Sequence, residues 1–121
     1  MNKHILIVDD EASVRDLLER FLTGAGFRVT AVATAAEAIR SVREDPPQLI
    51  ISDLQLEDSD GLEMIAKLKA TLPATPVMLL TGVLFDSRVV QEVLSGKVSS
   101  YIEKTSSLAR ILEEAKRLTQ T

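Results

Sequence analysis

Cysteine and tryptophan are both absent from this 121-residue chain. Without thiols there is no disulfide scaffold, no thiolate metal site and no cysteine nucleophile, and the absence fits a reducing compartment. Aromatic residues make up only 3% of the sequence, so its core must be aliphatic. A basic excess is lacking too: 14 Lys and Arg stand against 18 Asp and Glu, for a formal net charge of −4. That balance does not neutralise phosphates, so no direct nucleic-acid binding is expected of this domain. No apolar run approaches bilayer length, and the apolar part of the opening stretch Met1 to Asp9 is too short for a signal peptide. The expectation is a cytoplasmic protein with no membrane contact.

What is present is ordinary for a soluble domain, with 45% hydrophobic and 26% charged residues. The length suits one compact domain, expected over residues 1–121. Short aliphatic runs recur along it: Ile5 to Val8, Val29 to Val32, Leu49 to Ile51, Val77 to Leu80, and Tyr101-Ile102. Continuous runs rich in Val and Ile suit strands buried on both faces, as in a parallel sheet. Between them lie segments with helical spacing. Val14, Leu17, Leu18, Phe21, Leu22 and Ala25 form one apolar stripe; Leu62, Ile65, Ala66 and Leu72 form another, and Leu108, Ile111, Leu112 and Ala115 a third. Ala35, Ala38, Ile39 and Val42, and then Val89, Val90, Val93 and Leu94, repeat the pattern less completely.

Punctuation agrees with these boundaries. Thr34 with Glu37, and Asp60 with Glu63, have the form of capping boxes. Gly24 and Gly26 stand where a left-handed helix end is expected. Pro46-Pro47 closes the second helix, and Pro73 with Pro76 separates the third from the fourth strand. A strand–helix unit repeated five times predicts an α/β fold, a parallel sheet with helices on both faces joined by right-handed crossovers.

The polar residues fall at telling places. Asp9 and Asp10 follow the first strand, Asp53 follows the third, Thr81 ends the fourth and Lys104 follows the fifth. A parallel sheet brings all these strand ends to one edge, the edge where open α/β sheets bind their ligands. Three crowded carboxylates repel one another until they are protonated or bind a cation. Oxygen donors without His or Cys favour a hard ion, and a few carboxylates plus waters suit Mg²⁺ better than an all-protein Ca²⁺ cage. A carboxylate beside such an ion and a lysine can act as nucleophile towards phosphorus. His4, the lone histidine, is expected to be structural or exposed, with no catalytic role.

In this arrangement the whole chain resembles the receiver domains of two-component response regulators, the chemotaxis receiver among them. Ile5-Leu6-Ile7-Val8-Asp9-Asp10-Glu11 is similar to the family's acidic opening, and Asp53-Leu54-Gln55-Leu56 with Asp60-Gly61 to its phosphoacceptor loop. Leu80-Thr81-Gly82 is similar to the switch-hydroxyl segment, and Gly96 to Lys104 to the segment carrying the switch aromatic and the lysine. The resemblance implies a flavodoxin-like sheet of order 2-1-3-4-5. It implies Asp53 as phosphoacceptor, and Mg²⁺ held by Asp10, Asp53 and the backbone carbonyl of Gln55, with Asp9 acting through water. Lys104 would bridge to the phosphoryl group, with Thr81 and Tyr101 as switch residues.

The resemblance also implies partners: a sensor histidine kinase or phosphotransfer protein as donor, and an output domain or downstream protein as receiver of the signal. The readout would be the surface formed by the fourth helix, fifth strand and fifth helix, through which a homodimer can also form. Such a protein catalyses only its own phosphorylation and slow dephosphorylation. Two departures stand out. Thr105 occupies the place of the family's usual cis proline, which predicts a trans bond and a redirected loop, since a cis bond before a non-proline costs about 2.5–4 kcal/mol. Glu57 replaces another frequent proline. They motivate an alternative, a degenerate receiver that works as a phosphorylation-independent interaction module. A Mg²⁺-dependent phosphohydrolase is disfavoured, because Gln55 stands where that chemistry wants a second acid.

Overall fold

The computed structural model describes residues 3–53, 61–81, 98–103 and 106–120, with the side chains of 61, 62 and 81 excepted. All five aliphatic runs form strands within a residue of their expected limits, the first four being β1 (His4–Val8), β2 (Arg28–Val32), β3 (Leu49–Ser52) and β4 (Val77–Thr81). The fifth, β5, is Ser100–Glu103. All pair in parallel, in the order β2-β1-β3-β4-β5, so the doubly wound sheet implied by the resemblance is the one observed. Every residue of β1 and β3 is buried, which is why these strands read as unbroken apolar runs rather than as alternation.

Helices cover both faces. α1 (Ala12–Gly24) and the C-terminal helix (Leu108–Thr119) pack on one side, where Leu18, Leu22, Ile111 and Ala115 meet Ile5, Ile7, Ile51 and Met78. On the other, α2 (Ala35–Glu44) and α3 (Gly61–Thr71) bring Ala38, Val42, Ile65 and Leu68 against Leu6, Val8, Ile50 and Leu79. The two clusters take alternate residues of the same strands, the period-two division a pleated strand imposes. The helix expected over Val89 to Leu94 lies outside the described residues.

Two stripes need correction. Leu17 belongs to the spacing of α1 yet is 53% exposed, and Ala25 lies past the helix end in solvent. In α3, Ala66 is exposed whereas Met64 and Leu68, missing from the expected stripe, are buried to 1%. α3 carries apolar residues around most of its circumference, so the sheet, not the spacing, selects the inward face.

The helix ends follow their predicted chemistry in part. Thr34 Oγ1 accepts from the backbone N–H of Glu37 at 3.2 Å and donates to its carboxylate at 3.1 Å. Of the two candidate glycines, Gly26 takes the left-handed conformation, with φ +104°, while Gly24 is the last helical residue. Asp60 lies outside the described residues. Ser107 caps the C-terminal helix, accepting from Arg110 N–H at 3.2 Å.

β5 is tied to that helix by Glu114, which accepts from Ser100 Oγ at 2.7 Å and from Arg117 Nη2 at 2.8 Å. The Arg117 guanidinium, and then the Ser100 hydroxyl, hold the Glu114 carboxyl down at about 2 against its usual 4.5. A carboxyl lowered on folding stabilises the fold above its unfolded value, and that contribution is lost as pH falls through the folded one. Glu114→Gln is therefore expected to lower the urea midpoint at neutral pH. It should also flatten the decline in stability between pH 4.5 and about 2. An unaltered acid limb in the variant would show that Glu114 does not contribute it.

His4 is fully buried, in agreement with a structural role and against an exposed one. Its Nε2 lies 2.8 Å from Thr30 Oγ1, its backbone N–H donates to Gln48 Oε1 at 2.6 Å, and its Nδ1 lies 3.7 Å from Asp45 Oδ1. Asp45 in turn is gripped by the Arg28 guanidinium, which ties the end of α2 to the start of β2. These contacts sit at the start of β1, the sheet edge opposite the acidic residues.

Candidate functional site

The sheet's hydrogen bonding delivers the acidic residues to one place. Asp9 follows β1, and its N–H donates to Val32 O at 3.1 Å, continuing the ladder to β2. Asp53 follows β3, and its N–H donates to Val8 O at 3.0 Å, continuing the ladder to β1. With Val8 in register with Ser52, the two carboxylates leave neighbouring strands at the same level. Asp9 is 2% exposed and Asp53 5%, while Asp10 is half-buried and Glu11 exposed. One carboxylate oxygen from each of Asp9, Asp10, Glu11 and Asp53 falls within 4.8 Å of the others.

The turn that builds this cluster is held at several points. Asp9 Oδ1 accepts from the backbone N–H of Glu11 at 2.9 Å. Arg15, one turn into α1, donates from Nη1 to the Asp9 carbonyl at 2.7 Å. The Asp9 peptide is thus fixed by β2 on its nitrogen side and by a guanidinium on its oxygen side. Ser52 is wholly buried and spends its hydroxyl on the Asp53 carbonyl at 2.8 Å, which fixes the chain where it leaves β3.

The donor set fits a hard cation: four carboxylates, two of them buried, with no nitrogen or sulfur ligand among the described residues. Like charges so close oppose one another until an ion separates them. Asp10→Asn is accordingly expected to raise stability by on the order of 1 kcal/mol in chelator-treated protein. In excess Mg²⁺ the order should reverse, because the wild type gains by mass action. Urea unfolding under both conditions checks this; a variant less stable than wild type without metal would show that the carboxylates do not strain the fold.

The remaining expected site residues fare unequally. β4 ends at Thr81, in register with Glu103 of β5, so the threonine backbone reaches the same carboxyl edge. Lys104 would come one residue after β5, but it, Gln55, Glu57 and Thr105 lie outside the described residues. Tyr101, in register with Leu79, is half-buried against the cluster that carries α2 and α3, and burial pushes its phenol pKa up. Two neighbours of the site went unassigned from sequence. Glu11 was legible as part of the acidic run but not as a fourth donor. Arg15 gave no signal, because its contact is to a backbone carbonyl six residues earlier.

A five-stranded parallel sheet of this order, with acidic residues gathered at its carboxyl edge, defines a flavodoxin-like α/β protein with an acidic pocket. The comparison with known proteins is consistent across sequence and structure. The model of the response regulator receiver domain matches residues 5–116. The chain is 35% identical over 119 residues to response regulator protein VraR of Staphylococcus aureus strain Mu3, covering 97% of this chain and 56% of that protein. It is 35% identical over 79 residues to transcriptional regulatory protein GlrR of Escherichia coli strain K12, covering 65% of this chain and 18% of that protein. The crystal structure of a CheY-like response regulator receiver domain protein from Methanospirillum hungatei superposes with a TM-score of 0.91 at 28% identity, covering 98% of this chain and 94% of that one. This chain belongs to the response regulator receiver domain family. Receivers of this family serve two-component signalling, and the chain corresponds to only part of the length of the curated relatives it matches. Among the described residues no helix is long and apolar enough to cross a membrane.

Proposed function

We propose that the domain accepts a phosphoryl group on Asp53 from the phosphohistidine of a sensor histidine kinase or phosphotransfer protein. The observation that carries the reading is the buried Asp53 carboxylate, whose oxygen shares a 4.8 Å envelope with those of Asp9, Asp10 and Glu11 in a chain of this family. An Asp53 oxygen attacks phosphorus in line, the donor's N–P bond breaks, and the imidazole leaves with its electron pair. Asp10, Asp53 and the carbonyl of Gln55 would hold Mg²⁺ directly, with Asp9 acting through water. When bound, that ion neutralises charge on the transferring oxygens. Lys104 would meet the same charge from the other side.

Thr81 and Tyr101 are the proposed switch. The threonine hydroxyl hydrogen-bonds the phosphoryl group, and the tyrosine turns inward into the space it leaves. The phosphoryl biases two pre-existing arrangements of the surface around β5 and the C-terminal helix, where an output domain, a downstream protein or a second copy can read it. The domain acts in the cytoplasm, turns over no external substrate, and catalyses only its own phosphorylation and slow dephosphorylation. Incubation with a small phosphodonor and Mg²⁺, followed by intact-mass measurement, tests the reading: one added phosphoryl group is expected. Glu57 and Thr105 favour a second reading, an interaction module independent of phosphorylation. No mass gain, together with no binding of fluoride–beryllium, would establish it.

A further inference from the structure

Two hydrogen bonds from Arg15 straddle Asp10. Its backbone N–H donates to Glu11 O at 3.0 Å, and its guanidinium Nη1 donates to Asp9 O at 2.7 Å. Asp9 is held on its nitrogen side by β2, where its N–H reaches Val32 O at 3.1 Å, and its Oδ1 closes the turn by accepting from Glu11 N–H at 2.9 Å. Asp10 thus lies between two residues with fixed backbones, and its own side chain is half-buried. The Asp9 carbonyl belongs to the planar peptide unit that ends at the Asp10 Cα, so the guanidinium on that oxygen sets the direction in which Asp10 leaves the chain.

We infer that Arg15 is a positioning residue for the proposed reaction: by donating to the Asp9 carbonyl it fixes the Asp9–Asp10 peptide and aims the two adjacent carboxylates before any cation arrives. This rests on the proposed Mg²⁺ pocket and adds to it a residue that acts only through another residue's backbone. Its role is separable by sign. A positive charge next to the acidic turn opposes a cation, so if charge were its whole contribution, removing it would tighten Mg²⁺ binding. Positioning gives the reverse, because an unfixed peptide must be ordered when the ion binds, and its loss weakens binding. A contact that served stability alone would lower the unfolding midpoint and leave the affinity unchanged.

The test is calorimetric titration of metal-free protein with Mg²⁺, using wild type, Arg15→Met, Arg15→Lys and Arg20→Met. Methionine keeps the length of the side chain without donor or charge, lysine keeps one donor and the charge, and Arg20, an exposed arginine of the same helix, controls for net charge. Arg15→Met should weaken Mg²⁺ binding about tenfold, Arg15→Lys should recover it to within about threefold, and Arg20→Met should stay within about twofold of wild type. In metal-free Arg15→Met the Glu11 amide, which Asp9 Oδ1 accepts, should exchange with deuterium faster than in wild type. Phosphoryl incorporation from a small phosphodonor should fall at limiting Mg²⁺ and return at saturating Mg²⁺, since Asp53 is held separately by Val8 O and by the Ser52 hydroxyl. An affinity unchanged or tighter in Arg15→Met, or lost equally in Arg15→Lys, would overturn the inference and leave the pocket itself intact. No Mg²⁺ affinity in wild type would overturn the pocket and the inference together. Far-ultraviolet circular dichroism of each variant confirms that the comparison is made on folded protein.

Discussion

Asp53→Asn is expected to abolish phosphoryl incorporation completely while leaving the fold intact. The substitution keeps the size of the side chain and its place at the end of β3, where the backbone N–H still reaches Val8 O at 3.0 Å. It exchanges an anionic oxygen nucleophile for a neutral carboxamide, which does not form the acyl phosphate. It also removes one of two buried carboxylates, so the metal-free variant should be at least as stable as wild type. Incubated with a small phosphodonor and Mg²⁺, wild type should gain the mass of one phosphoryl group, and the variant none. A chelator should suppress the gain in wild type. Phosphorylation persisting in Asp53→Asn would place the acceptor on another residue and remove the central element of the proposed function.

Ile51→Ala is expected to cost about 2–5 kcal/mol, a large share of the roughly 5–15 kcal/mol available to a domain of this kind. Ile51 is 1% exposed in β3, which pairs with β1 on one side and β4 on the other. It lies in register with Ile7 and Met78, and its cluster includes Leu18, Leu22, Ile111 and Ala115 from the two helices on that face. Truncation leaves a cavity under both helices, and a central strand held by neighbours on each side cannot collapse to fill it. Urea unfolding should show a lower midpoint with an unchanged slope. Leu17→Ala is the contrast: Leu17 is 53% exposed, and its truncation should stay within about 0.5 kcal/mol of wild type. Similar losses at the two positions would mean that burial does not rank their contributions.

The Leu17 contrast also shows how far periodicity can be read. Spacing places Val14, Leu17, Leu18, Phe21 and Leu22 on one broad stripe, but it does not say how much of that stripe a flat sheet can cover. Only Leu18 and Leu22 are fully covered. In α3 the ambiguity runs the other way, since Met64 and Leu68 are as buried as Ile65 and only contact with the sheet distinguishes them from Ala66. The strands were easier to read, because burial on both faces leaves no polar alternation to interpret.

In the candidate site, the positions of Asp9, Asp10 and Asp53 were legible because parallel pairing requires all strand ends to share an edge. Glu11 and Arg15 were not assigned, and for different reasons. Glu11 turns on side-chain direction at a helix start, where the same acid could equally complement the helix dipole. Arg15 reaches back to a backbone carbonyl, and backbone acceptors leave no trace in residue identity. His4 is similar: its partners come from β2, from the residue before β3 and from the end of α2, contacts that exist only after the chain has folded.

Residue order alone determined the alternation of buried strands and amphipathic helices, and with it the convergence of three aspartates, because hydrophobic patterning and parallel pairing allow few other outcomes. Tertiary structure decided which helical residues face the sheet and how deeply each carboxylate is buried. It also brought a glutamate and an arginine to the acidic turn, since these depend on distances between side chains that are remote or differently oriented along the chain.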